Sequence, residues 1–177
     1  MELTNEDLRE IVNWGSVCEG FGSGNRQHHL RIDDIVRRIS TDHLGCVISE
    51  GDGLSNYYIL FSYIKADVPD FPLARRVNGL LIYLSSCGPF AILSRAQACV
   101  APSMTHDPLE IEDVLDPKQC EGDLEETTVS VIRSTGYELL TREEVDRPLP
   151  DGIEPFEYCS SRRPWDRVFH VLFAQTD

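Results

Sequence analysis

The centre of the chain carries an apolar stretch, residues 79–93, which reads GLLIYLSSCGPFAIL. Residues 79–85 have the length and the side chains of a buried strand, and Cys87-Gly88-Pro89 has the composition of a tight turn. A second apolar run, Phe90-Ala91-Ile92-Leu93, returns from that turn. The pattern predicts the central hairpin of an antiparallel sheet.

Two helices and two shorter strands precede the hairpin. A helix is predicted over Thr4–Trp14, because Thr4 and Asp7 have the spacing of a capping pair. A second helix is predicted at about Leu30–His43, where isoleucine and valine recur at helical spacing. The segments Cys46–Ser49 and Tyr57–Lys65 then have the composition of strands.

The second half of the chain predicts one helix and two strands. The helix spans Leu124–Ser134 and is followed by Gly136 in a left-handed conformation. Tyr137–Leu140 has strand composition, and Thr141–Glu144 forms a capping box that begins a short helical turn. The chain closes on Val168–Phe173, which is apolar on both faces and therefore predicts a strand inside the sheet.

The order of these elements indicates the fold class. Helices and runs of strands follow one another without βαβ alternation, which favours an α+β fold. A length of 177 residues, with 41% hydrophobic and 26% charged residues, suits a single domain over residues 1–177. We expect two N-terminal helices, a central mainly antiparallel sheet, one later helix and a buried C-terminal strand.

The charge of the chain limits the partners that it can bind. There are 30 acidic and 16 basic residues, and the formal net charge is −14. Because like charges repel, binding to nucleic acid or to an anionic membrane is disfavoured. A basic protein partner would be attracted, although acidity also serves solubility alone.

The chain shows no feature of export. The N-terminus has no basic region followed by an apolar one, and no apolar run approaches the roughly 18 residues of a membrane span. The six cysteines form no Cys-x-x-Cys pair. We therefore expect a cytoplasmic protein with free thiols and no disulfide framework.

An acidic segment, residues 103–123, is the most distinctive feature of the sequence, and we expect it to be a surface excursion. Residues 107–126 hold nine acidic side chains against one lysine, a net −8 of the total −14. Such a segment raises the association rate for a basic partner, or it is simply a solvated loop. Its candidate partner-binding residues are Glu110, Glu112, Asp113, Asp116, Glu121 and Asp123.

A cationic patch lies near the C-terminus. Trp165 follows Ser160-Ser161-Arg162-Arg163-Pro164, and Trp and Arg are the residue types that dominate interface energies. Trp165 is therefore a further partner-binding candidate. The alternative is that Trp165 packs under the C-terminal strand while the arginines pair with the acidic segment.

Three residues are candidates for nucleophilic catalysis. Cys87 lies on the turn after the buried strand, where a nucleophile can be exposed above a sheet. His170 would act as its base and Asp166 would orient that base. The alternative for His170 is a hydrogen-bonded histidine of the core.

His28 and His29 are candidates for a metal site, with Asp33 and Asp34 nearby. Zinc needs four ligands, and adjacent histidines point in different directions, so a polar entry to the helix is the alternative. The glycine-rich loop Gly20–Asn25 has no strand before it and no Lys-Ser/Thr after it. We therefore expect no cofactor.

The general character of the chain, small, acidic and α+β, is similar to that of bacterial immunity and antitoxin-type binding proteins. The similarity is one of class, and it assigns no role to any residue. We favour a non-enzymatic binding protein with an acidic surface for a protein partner. A Cys-dependent hydrolase or transferase that uses Cys87 and a metal-binding protein are the alternatives, and the oligomeric state is unassigned.

Overall fold

A computed structural model describes residues 3–14, 16–22, 25–49, 57–68, 76–100, 103–155 and 164–173. These residues form an α+β structure, in which a mainly antiparallel sheet has helices on both faces. The predicted fold class is therefore confirmed. Among the described residues, no helix is long and apolar enough to cross a membrane.

The sheet contains six described strands. They are β1 (Leu44–Ile48), β2 (Tyr57–Ile64), β3 (Val77–Ser85), β4 (Phe90–Cys99), β5 (Thr105–His106) and β6 (Glu138–Leu139). The first five are neighbours in chain order and pair antiparallel. β6 pairs parallel with the beginning of β4, whereas β5 pairs with its end.

The predicted central hairpin is confirmed as β3 and β4. Leu84 pairs with Ala91 and Ile82 pairs with Leu93, so the turn joins the strands in register. Side chains alternate across the sheet, and β3 is buried on both faces from Leu80 onwards. A strand covered on both sides explains why this part of the sequence is continuously apolar.

Five described helices cover the sheet. They are α1 (Asn5–Trp14), α2 (Arg26–Ile39), α3 (Asp123–Ser134), α4 (Arg142–Val145) and α5 (Val168–Leu172). α2 and α3 pack on one face, where Ile35 and Ile132 join the same core cluster as Leu60 and Ile82. α1 and α5 contribute to the cluster on the other face.

The second helix is displaced from its predicted bounds of Leu30–His43. It begins at Arg26, because the side-chain oxygen of Asn25 accepts a hydrogen bond of 2.9 Å from the Gln27 amide and caps the first turn. It ends at Ile39, and the amide of Ser40 donates to the Val36 carbonyl. The first turn of the helix is polar and shows no apolar periodicity. The prediction, which was based on the spacing of the isoleucines, therefore placed the start of the helix too late.

The prediction of a C-terminal strand is wrong. Val168–Leu172 forms α5, and all five of its residues are buried. The hydroxyl of Ser85 at the end of β3 donates a 2.9 Å hydrogen bond to the Leu172 carbonyl and holds the helix against the sheet. The burial was anticipated, but a short run that is apolar on every side fits a buried helix as well as a buried strand.

The acidic segment crosses the edge of the sheet next to β4. Its apolar residues Leu109, Val114 and Leu115 are buried, and the Leu115 amide donates a 2.8 Å hydrogen bond to the Leu93 carbonyl. Two 3-10 turns, Ile111–Asp113 and Pro117–Gln119, lie between β5 and α3. The buried residues anchor the segment while its carboxylates remain at the surface.

Candidate functional site

The acidic segment meets the approach to α5 and the end of α4 at a cleft. Its volume is about 370 Å³. We call it the acidic cleft, because four of its eight described lining residues are Asp or Glu. The lining residues are Glu110, Ile111, Glu112, Asp146, Pro164, Asp166, Arg167 and His170.

Backbone hydrogen bonds hold the walls of the acidic cleft in place. The backbones of Arg167 and Pro148 form an isolated antiparallel β-bridge, and the Leu149 amide donates a 2.9 Å hydrogen bond to the Asp166 carbonyl. On the opposite wall, the Asp113 carboxylate accepts from the Glu110 amide and caps the 3-10 turn that carries Glu112. The lining side chains are therefore carried by hydrogen-bonded backbone.

The cleft carries an excess of negative charge. Four carboxylates, those of Glu110, Glu112, Asp146 and Asp166, face a single guanidinium, that of Arg167, among the described residues that line it. Nε of Arg167 lies 3.4 Å from a carboxylate oxygen of Asp166 and 3.5 Å from one of Asp146. Among the described lining residues, acidic side chains therefore outnumber basic ones, and an excess of negative charge favours a positively charged partner.

His170 forms a buried wall of the cleft, with only 2% of its surface exposed. Its Nδ1 accepts a 3.1 Å hydrogen bond from the Arg167 amide. Burial lowers the pKa of His170, Asp166 raises it and Arg167 lowers it further. The ring is therefore neutral at pH 7. Because Nδ1 is an acceptor, the proton of the neutral ring is on Nε2.

The three catalytic candidates are not all brought together. His170 and Asp166 both line the acidic cleft, whereas Cys87 is not among its lining residues. Cys87 lies in the β3–β4 turn with 1% of its surface exposed, and its carbonyl accepts a 2.9 Å hydrogen bond from the Val17 amide. The cleft therefore holds two of the three candidates, and solvent hardly reaches the thiol of the third.

The other partner-binding candidates are spread along the acidic segment. Asp113 and Asp116 line a neighbouring pocket of about 410 Å³, together with Arg95 and Arg142. Glu121 and Asp123 are exposed at the approach to α3. Trp165 is half-buried beside the cleft-lining Asp166. The arginines of the predicted cationic patch at 160–163 lie outside the described residues.

The two metal candidates serve as hydrogen-bonding groups. Nε2 of the buried His28 lies 2.7 Å from the Tyr137 hydroxyl, and burial lowers the pKa of this histidine to about 4. His29 is exposed, and its Nδ1 lies 3.1 Å from the Tyr58 hydroxyl. Within the described ranges, no three residues of the types His, Cys, Asp and Glu are grouped to hold a metal ion.

The sequence did not single out Asp146 as part of a site. Asp146 is the C-cap of α4, directly after the capping box that was predicted there. Its place in the cleft depends on the return of the chain at Pro148 and Arg167, which no local pattern encodes. The Asp-Arg-Pro sequence at 146–148 indicated a helix end and nothing more.

Comparisons with known proteins found no relative of this chain. No family model, no curated protein and no solved structure matches the chain. The geometry and charge of the acidic cleft are therefore the features of this chain that bear on its function.

Proposed function

We propose that this chain is a non-enzymatic binding protein that recognises a basic protein partner through its acidic segment. The observation that carries the proposal is the acidic cleft, in which four carboxylates face one guanidinium among the described lining residues. Oppositely charged surfaces steer association and select the partner. The net charge of −14 acts in the same direction over longer distances.

The path of the acidic segment supports a preformed surface. Leu109 and Val114 belong to the core cluster on the α5 face, so the intervening carboxylates are held between buried anchors. A surface that is already ordered loses less conformational entropy when it binds than a free loop does. The segment therefore has the properties of a docking surface as well as those of a solvated one.

The enzymatic alternative has less support. A nucleophilic thiolate needs access to its substrate, and Cys87 is 1% exposed in a core cluster. His170, its candidate base, lines a cleft that Cys87 does not line. We therefore place the partner-binding hypothesis first.

An affinity capture from lysate of the source cells tests this function. The full chain is immobilised, and proteins retained at about 0.05 M and about 0.5 M salt are identified by mass spectrometry, since screening weakens surface charge pairs over this range. We expect a basic partner in stoichiometric amount at low salt and its loss at high salt. Recovery of no basic protein at either salt would contradict the proposal.

Paired variants make the capture specific. Glu112→Gln with Asp166→Asn removes two charges from the cleft, and Asp33→Asn with Asp42→Asn removes two exposed charges on and after α2, on the other side of the sheet. We expect the cleft variant to lose the partner and the α2 variant to retain it. Equal loss in both would indicate bulk charge rather than a docking surface.

A further inference from the structure

β1 forms an edge of the described sheet, where it pairs with β2 on one side only. The Ser49 amide, directly after β1, donates a 2.9 Å hydrogen bond to the Ile59 carbonyl. Backbone groups point alternately to the two sides of a strand, so Cys46 and Ile48 direct their N–H and C=O groups away from β2. No described strand pairs with β1 on that side.

The open edge of β1 is short, because the outward groups of Leu44 are already satisfied. The Thr41 amide donates a 3.0 Å hydrogen bond to the Leu44 carbonyl, and the Thr41 hydroxyl accepts one of 3.0 Å from the Leu44 amide. A strand that pairs with β1 along its described length therefore finds hydrogen-bonding groups at Cys46 and Ile48 but none at Leu44.

This edge lacks the features that commonly prevent edge strands from pairing. Such strands often carry charged residues, proline or a β-bulge. β1 reads LGCVI, without a charge or a proline, and its residues pair one to one with those of β2. Ile48 is 41% exposed, so an apolar side chain lies at the open edge. β1 therefore offers both backbone hydrogen bonds and apolar surface to another strand.

We propose that β1 pairs antiparallel with β1 of a second copy of this chain, about a two-fold axis at Val47. Cys46 then lies opposite Ile48 of the second copy, and Ile48 lies opposite its Cys46. Each pair exchanges both N–H···O=C hydrogen bonds, which satisfies every outward group of these two residues. Shifting the register by two residues would instead place Ile48 against Leu44, whose groups Thr41 already uses.

A second copy fits this short edge because the edge is complementary to itself under a two-fold axis, the symmetry of most homodimers. The contact is smaller than the roughly 1,200 Å² of a stable interface, so we expect a dissociation constant on the order of 0.1 mM at about 0.15 M salt. Each chain carries a net charge of −14, so salt screens the repulsion between copies and strengthens the dimer. Binding of a basic partner responds to salt with the opposite sign.

Analytical ultracentrifugation of the full chain tests the association. Sedimentation is measured from about 5 µM to about 0.5 mM protein, at about 0.15 M and about 0.5 M salt. We expect the average mass to rise with concentration towards twice that of one chain, and to rise further at the higher salt. A monomer at every concentration and both salts would overturn the inference, whatever the affinity capture shows. A dimer without a captured basic partner would keep it and contradict the proposed function.

Matched variants locate the contact. Ile48 and Ile64 are 41% and 40% exposed, but Ile64 lies in β2, which has neighbours on both sides. Ile48→Lys should weaken the dimer by at least about tenfold, whereas Ile64→Lys, with the same change in charge, should alter it by less than about threefold. Ile48→Pro removes only an N–H that faces away from β2, so it should weaken the dimer while the thermal transition of the chain is retained. Equal association of the three variants would overturn the β1 contact.

Disulfide cross-linking tests the register. Val47 would face its own copy in a non-hydrogen-bonded pair, where Cα atoms are about 4.5 Å apart, a distance that a disulfide can span. With oxidised glutathione as the oxidant, Val47→Cys should therefore give a dimer in which peptide mapping finds residue 47 joined to residue 47. Ser49→Cys is the control, because it would face Gly45 of the second copy and should form no such link. Equal cross-linking at positions 47 and 49, or none at 47, would overturn the proposed pairing.

Discussion

Nε2 of His28 lies 2.7 Å from the hydroxyl oxygen of Tyr137, across 109 residues of sequence. The pair joins α2 to the segment that leads into β6. The Tyr58 ring meets the imidazole edge-on at 5.1 Å, and the Arg31 guanidinium lies over the nearby Phe21 ring. His28 therefore connects α2 to the segment before β6 through a buried hydrogen bond and to β2 through a ring contact.

Replacing Tyr137 by phenylalanine should destabilise the protein. The change removes the partner of Nε2 in a fully buried histidine, so we expect the free energy of unfolding to fall by about 1–3 kcal/mol. Urea denaturation at pH 7 measures it. Tyr58→Phe is the matched control, because its hydroxyl meets the exposed His29 and water can replace it. Equal losses in the two variants would show that the buried pair has no special contribution.

The same histidine should make stability depend on pH. Burial lowers the pKa of His28 from 6.5 to about 4, so between these values the unfolded chain binds more protons than the folded one. The contribution is complete above pH 6.5 and is lost as the pH falls through 4, by about 3 kcal/mol in total. The lowered pKa of His170 acts with the same sign.

Unfolding free energies measured at intervals from pH 7 to pH 4 check this dependence. His28→Gln keeps a polar side chain but removes the titrating ring, so its stability should fall less over the window than that of the unmodified chain. A parallel decline in both proteins would assign the effect to carboxylates instead.

The parts of the fold that local sequence encodes were predictable. The central hairpin follows from two apolar strands and a Gly-Pro turn, and the Thr141 capping box forms with Glu144 as expected. The nature of α5 was missed, because five residues that are all buried show no period that separates helix from strand. The His28–Tyr137 pair could not be predicted from the sequence, since only the tertiary fold brings together residues that are so far apart in the chain.

The candidate site was predictable in pieces. Glu110 and Glu112 were named for their charge, and Asp166 and His170 for their chemistry, yet the sequence grouped the latter two with Cys87. Which segments meet depends on how the chain returns at Arg167 to pair with Pro148. Such a long-range bridge leaves no periodic signal, so only the structure reveals the cleft.

Gly79 should tolerate no side chain. A Cβ atom at this position would lie 2.2 Å from the Ser62 carbonyl oxygen and 2.6 Å from a ring carbon of Phe61, both in β2. Because the closest atom is backbone, the strands would have to separate, and we expect Gly79→Ala to cost about 2–4 kcal/mol. Thermal and urea unfolding measure the loss.

Gly122→Ala is the comparison for Gly79. Its φ of +84° imposes strain, but open space surrounds the added methyl group, so we expect a cost of about 1–2 kcal/mol. A larger loss at Gly122 than at Gly79 would contradict the steric argument.

Removing α5 should abolish the folded state. A chain that ends at Trp165 lacks the five buried residues of α5 and the buried Phe173. It also lacks the Leu172 carbonyl that accepts from Ser85, so the core cluster that α1 and α5 share would be uncovered. We expect insoluble protein, or protein without a cooperative thermal transition. Phe169→Ala is a milder test and should lower the unfolding free energy by about 3–5 kcal/mol. Soluble, cooperatively melting protein without α5 would contradict this role.

The reactivity of the thiols distinguishes the two classes of function. Cys87 is 1% exposed and Cys46 is 8% exposed, and burial raises the pKa of Cys46 to about 12. In the folded protein at pH 7, we expect iodoacetamide to modify both at least about tenfold more slowly than the half-buried Cys99, since alkylation needs an accessible thiolate. Peptide mapping by mass spectrometry over time measures each rate, and denaturation in urea should make the rates similar.

Rapid modification of Cys87 in the folded chain would require that the β3–β4 turn opens, and it would favour a Cys-dependent hydrolase or transferase over a binding protein.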